Sequence, residues 1–433
     1  MKVLAITNLF PSASNPTRGA FNLQAFQALG KHVELRVVVP TPWKERIRDP
    51  RALVAVPTEV HSGLWCHYPT FWNTPKIAAG FQHRLMEASL LRTVTRLRET
   101  FPFEAVISAW AYPDGAAGAR IAESYGLSSV TLVLGSDINT LAERSDVRRS
   151  VAAGLRCSGR IVAVSHALAD RVASLGIDAS RIRVQHNGVD GERFAPRSAR
   201  AARLTLGLDS DQEFVVCVGN LAPEKGQDVL IRALARISAE RRPHAYLVGD
   251  GTTRGSLEQL AHNLGVGASV HFTGRRPHDE IPLWINAARA LCLPSRREGC
   301  PNVVLEALAS GRPVVATSVG GVPEILQPDC GICVEPNHSE ALGEAILRVL
   351  DRQYDEALLR RSVPCLSWEA FGRSLVSDLE SLDAGCGVTA SGSTHPHLAS
   401  GGIERGRTPQ SFGKSSCSQA THSASSLGAV SET

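Results

Sequence analysis

Short apolar, β-branched runs alternate with longer stretches in which apolar residues recur every three or four positions. The runs at 2–7, 33–39, 105–108, 129–134, 160–164 and 182–185 predict strands, and the 3.6-residue period over 20–29 predicts a helix between the first two. Strands alternating with helices in this way imply a parallel sheet covered on both faces. Between 187 and 212 the pattern loosens into Gly, Asp, Arg, Pro and Ser, then restarts with predicted strands at 214–218, 245–248, 270–273, 290–293 and 314–317. The restart implies a second sheet of the same kind, with a ligand cleft at the carboxyl ends of the strands. A last helical stretch, 368–382, places Phe371, Leu375 and Leu379 on one face. Beyond Ala384 the chain is rich in Gly, Ser, Thr and His, with too little apolar surface to offset its ordering entropy, so a disordered tail is expected over 384–433.

Composition narrows the class. A chain of 433 residues with 43% hydrophobic and 20% charged side chains suits two globular domains. A formal charge of +4 without a basic stripe or a nucleic-acid-binding motif gives no reason to expect nucleic acid. The opening MKVLAITNLFPS is too short in its apolar run for a signal peptide, and no apolar stretch approaches a membrane span, so a cytoplasmic location is expected. The ten cysteines lie mostly in apolar runs as small core side chains; Cys330 and Cys333 have CxxC spacing but no second ligand pair, which favours a structural role.

The chemistry concentrates in SRREGCPNVVLEALASGRPVVATSVGGVPEIL, residues 295–326. Pro301 and Asn302 suit a helix start, and Gly311 with Pro313 suits its end. Between them the helix is apolar on nearly every side except at Glu306. A carboxylate on a buried helix costs several kcal/mol unless it is paired or faces a polar ligand. The free N–H groups of the first turn suit phosphate. Glu298, on the loop before the helix, offers a second acceptor. Two acceptors flanking a phosphate-friendly helix start fit a ligand with hydroxyls at both ends and a diphosphate between them. Taken as an isolated pair, the glutamates would fit better a Glu306 salt-bridged to a neighbouring helix and a solvated Glu298.

The same stretch closely resembles the donor-binding signature of glycosyltransferase family 4, a retaining group with the GT-B fold, among them enzymes of bacterial polysaccharide and teichuronic acid synthesis. Glu298, Gly299, Pro301, Asn302, Glu306, Ala307, Gly311, Pro313, Gly320, Gly321 and Glu324 carry the resemblance. It implies that Glu298 contacts donor-sugar hydroxyls, that Glu306 holds the ribose, and that the backbone of Gly299, Cys300, Pro301 and Asn302 meets sugar and diphosphate. VGNLAPEKGQDVLIRAL, from Val218, is similar to the family segment whose lysine, here Lys225, neutralises the diphosphate; many members have arginine where Asn220 stands. NLFPSASNPTRGAF resembles the opening loop in which a glycine, here Gly19, lets the backbone approach the transferred sugar. AWAYPDGAAGARIA, VTLVLGSDI, VSHALADRV and SWEAFGRSL look like further family segments. In VTLVLGSDI, Leu134 stands where many members have histidine, leaving Asp137 or backbone carbonyls as the candidates for positioning the sugar.

The resemblance implies an α/β, GT-B architecture of two Rossmann-like domains: an acceptor-side domain at 1–190, a donor domain at 191–366, and a helix at 367–383 crossing back. It implies retaining transfer from a nucleoside-diphosphate sugar to a glycan, lipid-linked or small-molecule acceptor, with Glu298 and Lys225 as catalytic residues and no cofactor or metal. A non-catalytic sugar-nucleotide-binding protein and a sugar-nucleotide epimerase are the alternatives. An NAD-dependent oxidoreductase is disfavoured because the first strand runs into Asn8, Phe10 and Pro11 rather than a glycine-rich turn. Over 76–98, a predicted helix combines Ile77, Phe81, Leu85, Val94 and Leu97 with Arg84, Arg92, Arg96 and Arg98. That pattern fits either a core-facing helix or one resting on an anionic membrane surface at the inner face of the cell membrane.

Overall fold

The computed structural model describes residues 1–12, 15, 18–47, 57–74 and 78–386, with side chains described to 383. Its first sheet has eight strands. β1 (Lys2–Ile6) lies at the centre, with β2 (Glu34–Val38) on one side. A small pair, β3 (Thr41–Pro42) with β6 (Thr70–Phe71), brackets β4 (Thr58–His61) and β5 (Leu64–His67) in sequence. On the other side follow β7 (Ala105–Ala109), β8 (Ser128–Val133), β9 (Arg160–Ala163) and β10 (Ile182–Val184). The order is β10-β9-β8-β7-β1-β2-β5-β4, parallel except for β4 on β5.

The second sheet is wholly parallel. It contains β11 (Phe214–Val218), β12 (His244–Val248), β13 (Val270–Gly274), β14 (Ala290–Leu293), β15 (Val314–Thr317) and β16 (Gly331–Val334), in the order β13-β12-β11-β14-β15-β16. Central strands are buried on both faces: β15 is enclosed along its whole length. This is the state that a continuous apolar run anticipates. The β4–β5 hairpin and β16 are additions to the strands the sequence predicts.

The final helix, Trp368–Cys386, lays Trp368, Phe371, Leu375 and Leu379 into the same core as Phe26 and Leu29 of the Ala20–Gly30 helix. Asp378, on that helix, is nearly buried and accepts from Arg183 Nε through both oxygens at 2.9 Å, tying it to β10. The helix runs three residues past 383; the rest of the tail, from 387, lies outside the described residues.

The helix predicted over 76–98 becomes Gln82–Thr100, preceded by a turn at Ala79–Phe81, with Lys76 and Ile77 outside the described residues. Val94 and Leu97 are buried with Met86 and Leu90, and Arg98 donates to the Phe103 carbonyl at 2.9 Å. Most of the apolar stripe is therefore spent on the protein core. Phe81 remains 65% exposed, beside exposed Arg84, Arg92 and Arg96.

Candidate functional site

The carboxyl ends of both sheets open onto one cleft of about 1200 Å³. On its C-terminal wall, β14 leads into a loop that places Glu298 nearly out of solvent, its side chain 8% exposed. Oε1 of Glu298 accepts from Lys225 Nζ at 2.7 Å and from Ser295 Oγ at 2.6 Å. Lys225 ends the short Pro223–Lys225 turn after β11. Arg296 holds that turn against the loop, donating to both oxygens of Asp228 at 2.8 Å and to the Pro223 carbonyl at 2.6 Å. The two residues that the resemblance makes catalytic thus form one ion pair.

The loop passes Gly299 and Cys300 into the Asn302–Ala309 helix. A β-carbon at position 299 would lie 2.1 Å from the carbonyl oxygen of Leu134, so only glycine lets the two walls touch there. Burial pushes the Cys300 thiol up to about 12, which removes it as a thiolate at neutral pH. Pro301 caps the helix without a side-chain hydrogen bond, and among the described residues the N–H groups of Asn302 and Val303 have no protein partner. Orphan donors at a helix start, facing the cleft with a lysine on the same wall, suit an anion. One turn further on is Glu306, 12% exposed, with His278 Nε2 at 3.7 Å from its carboxylate. That separation is too long for a hydrogen bond and leaves the carboxylate available to the cleft.

Gly19 lines the opposite wall with φ 62°, and a β-carbon there would sit 2.0 Å from the Leu9 carbonyl oxygen. Asn22 Nδ2 donates to the same carbonyl at 2.8 Å, fixing the loop after β1. Asp137 requires a correction. It is fully buried and absent from the cleft lining, and its carboxylate accepts backbone N–H groups from Ala111 at 2.8 Å, Gly135 at 2.7 Å, Ile138 at 3.1 Å and Leu134 at 3.2 Å. Four donors saturate the group, so it organises two loops and does not hold a sugar. The other predicted site residues, including exposed Asn220, all line the cleft.

Several contributors were not singled out in the sequence. Arg275 and Arg276, in the loop after β13, bring positive charge to the wall that holds Asn220, and His278, at the start of the next helical turn, lines it too. Asn187 Nδ2 donates to Asn302 Oδ1 at 2.7 Å, and Asn139 Nδ2 to the Glu298 carbonyl at 2.9 Å, joining the walls behind the cleft. Glu324 accepts from the His166 and Ala167 N–H groups at 2.8 and 2.9 Å and from His186 Nε2 at 3.0 Å. Burial alone would raise its carboxyl; those donors hold it below the usual carboxylate range. The run GRR directly after a predicted strand was the available signal for the arginines. Asn187 and Asn139 join segments over a hundred residues apart, so no local pattern marks them; Glu324 belongs to the stretch that carries the resemblance, but its distant partners do not show in the sequence.

Two Rossmann-like sheets facing a cleft, with a final helix crossing back, define the GT-B class of glycosyltransferases. Residues 23–193 match the family described as Glycosyltransferase Family 4, and residues 200–363 match Glycosyl transferases group 1. The chain is 30% identical over 366 residues to the putative teichuronic acid biosynthesis glycosyltransferase TuaC of Bacillus subtilis, spanning 80% of this chain and 89% of that one. It is 34% identical over 212 residues to a GDP-mannose-dependent phosphatidylinositol monomannoside mannosyltransferase of Corynebacterium glutamicum, covering 45% and 55% of the two chains. Sucrose-phosphate synthase from Thermosynechococcus elongatus superposes with a TM-score of 0.74 at 21% identity, over 89% of this chain and 99% of the other. HepE from Anabaena, solved with UDP and glucose, gives 0.64 at 20% identity over 89% and 99%. The chain belongs to glycosyltransferase family 4 and is a glycosyltransferase of GT-B fold.

Proposed function

We propose that the protein transfers a sugar from a nucleoside-diphosphate sugar to an acceptor hydroxyl with retention at the anomeric carbon, in the synthesis of a cell-surface polysaccharide or glycolipid. The observation that carries this reading is the uncapped start of the Asn302–Ala309 helix, set between Glu298 and Glu306 with Lys225 beside it. The orphan N–H groups and Lys225 receive the diphosphate and stabilise its charge as the glycosidic bond breaks. Glu306 accepts ribose hydroxyls and Glu298 accepts those of the transferred sugar. The departing phosphate oxygen takes the acceptor proton on the same face, so neither a protein base nor a metal enters the scheme. Gly19 lets the opposite backbone close on the reacting sugar.

A thermal-shift screen against UDP-, GDP- and ADP-sugars identifies the donor, since a ligand that binds only the folded state raises Tm. Acceptor-dependent release of nucleotide from that donor then separates a transferase from a sugar-nucleotide binder or an epimerase. A product of inverted anomeric configuration, read by NMR, would refute retention. The names of the curated relatives support a cell-envelope acceptor, and a location at the cytoplasmic face of the membrane follows from it. Exposed Phe81 and Trp72 beside Arg84, Arg92 and Arg96 support peripheral contact with anionic lipid. Replacing the three arginines by glutamine should abolish sedimentation with phosphatidylglycerol vesicles, and unchanged sedimentation would exclude this contact.

A further inference from the structure

Trp110 has a backbone conformation that nothing in the fold's connectivity demands of an indole. Its φ is 104° and its ψ 118°, whereas the other positive-φ residues with side chains, Ser62, Ala78 and Asn337, lie at 50–63° in the ordinary left-handed region. Residues held in such sparsely populated conformations persist only where their surroundings over-determine them, and they concentrate at functional sites. The surroundings here do so. The Trp110 N–H donates to the Leu132 carbonyl at 3.0 Å, its carbonyl accepts from Gly115 N–H at 2.8 Å, and the following N–H, of Ala111, is held at 2.8 Å by the buried carboxylate of Asp137.

The product of this constraint is an indole on the cleft wall. Trp110 follows β7, whose neighbours in the sheet are β8 and β1, so Leu134 and Leu9, from the loops after those strands, flank it on either side. The three residues, on loops that follow neighbouring strands, all line the cleft and make up an apolar strip on this wall. Among the described residues the indole N–H has no partner. The strip ends at Leu134, whose carbonyl is packed against Gly299 on the wall that carries Glu298. It therefore borders the place where the donor's sugar would lie. Arg18, the cation on this wall, is engaged by Glu45 at 3.0 Å.

We infer that Trp110 is the platform for the acceptor, and that the acceptor presents a pyranose ring whose C–H face stacks on the indole, with a ring hydroxyl accepting from the indole N–H. This rests on the transferase reading above and names the acceptor class that reading leaves open. An aromatic flanked by two leucines suits a ring with one aliphatic face and hydroxyls at its edge; a polyol phosphate would need cations where the strip has none. Asp137 is a positioning residue, acting through the Ala111 N–H.

The test uses the full chain, the donor found by thermal shift, and octyl β-D-glucopyranoside, octyl β-D-galactopyranoside and octyl α-D-mannopyranoside as acceptor probes, with glycerol 3-phosphate and myo-inositol 1-phosphate as polyol probes. A pyranoside should accelerate nucleotide release by the wild type. Trp110→Gly, which accepts φ 104° without strain, should raise the acceptor KM at least about tenfold, while the donor Kd from calorimetry moves less than about threefold. Trp110→Phe should keep the acceptor KM within about threefold of wild type. Acceleration by a polyol phosphate but no pyranoside, acceleration by none of the probes, or an unchanged acceptor KM in Trp110→Gly would overturn the assignment. A wild type that releases nucleotide from no nucleotide sugar would instead defeat the transferase reading itself.

Discussion

Glu298→Gln separates two effects that one carboxylate combines. Glu298 accepts from Lys225 at 2.7 Å and from Ser295 at 2.6 Å, so the lysine proposed to meet the diphosphate has an anionic partner within the protein. A hydrogen bond to a charged group is worth about 1.5–3 kcal/mol net, and a neutral one about 0.5–1.5 kcal/mol. Glutamine keeps the geometry but not the charge, so the competition for Lys225 weakens by about 1 kcal/mol. The nucleoside diphosphate alone should then bind roughly fivefold more tightly. Turnover should move the other way. Exchanging a charged acceptor for a neutral one at the sugar hydroxyls removes about 1–2 kcal/mol, or about 5- to 30-fold in kcat. Calorimetry with the nucleoside diphosphate gives the first quantity and steady-state nucleotide release the second, with Tm as the folding control. A kcat within threefold of wild type, or a diphosphate Kd that rises, would refute the reasoning.

Three further outcomes follow from the geometry. Glu306→Gln should weaken donor binding by about 1–2 kcal/mol, seen as a roughly 5- to 30-fold rise in donor KM, and leave Tm nearly unchanged because His278 Nε2 is 3.7 Å away. Asp378→Ala removes the nearly buried acid that pairs with Arg183 and lies 3.9 Å from Arg160; with those arginines about a quarter exposed, urea unfolding should show a loss of about 2–4 kcal/mol at unchanged m. Asp114, fully buried, has its carboxyl pushed up to about 8 by burial, against an unfolded value near 3.8. Its folded form retains the proton over that interval, so this contribution to stability is fully present below pH 4 and is lost as pH rises to about 8. Asp114→Asn should flatten that slope, and parallel slopes of unfolding free energy against pH for the two proteins would contradict it.

Much of this fold is legible because fully enclosed strands read as apolar runs: Val314–Thr317 has no polar face to blur it. β16 escaped notice because it is short and at the sheet edge, with only Gly331 of its four residues buried, and β4 because it lies at the other sheet's edge with most of its residues exposed. Within the site, Glu306 was legible because the helix around it is otherwise apolar. The conformation of Trp110 was not, since φ depends on hydrogen bonds to Leu132 and Gly115 from different elements.

Asp137 and Glu324 show what sequence cannot separate and burial can. Both are acids in segments that resemble family motifs, yet each is satisfied by backbone N–H groups: Asp137 by four, Glu324 by two together with a histidine. Such an acid sets the position of loops and has little capacity left for a ligand. Glu306 is the opposite case, 12% exposed on an apolar helix with no hydrogen-bonded partner among the described residues, so a polar ligand would offset its desolvation. Glu298 lies between them. Its partners are the side chains of Lys225 and Ser295, which can rotate, whereas the amides around Asp137 cannot. Under the proposed function a diphosphate drawn to Lys225 would compete with this ion pair, so the acid that the sequence marks as catalytic is also the one whose bonds are expected to change on binding.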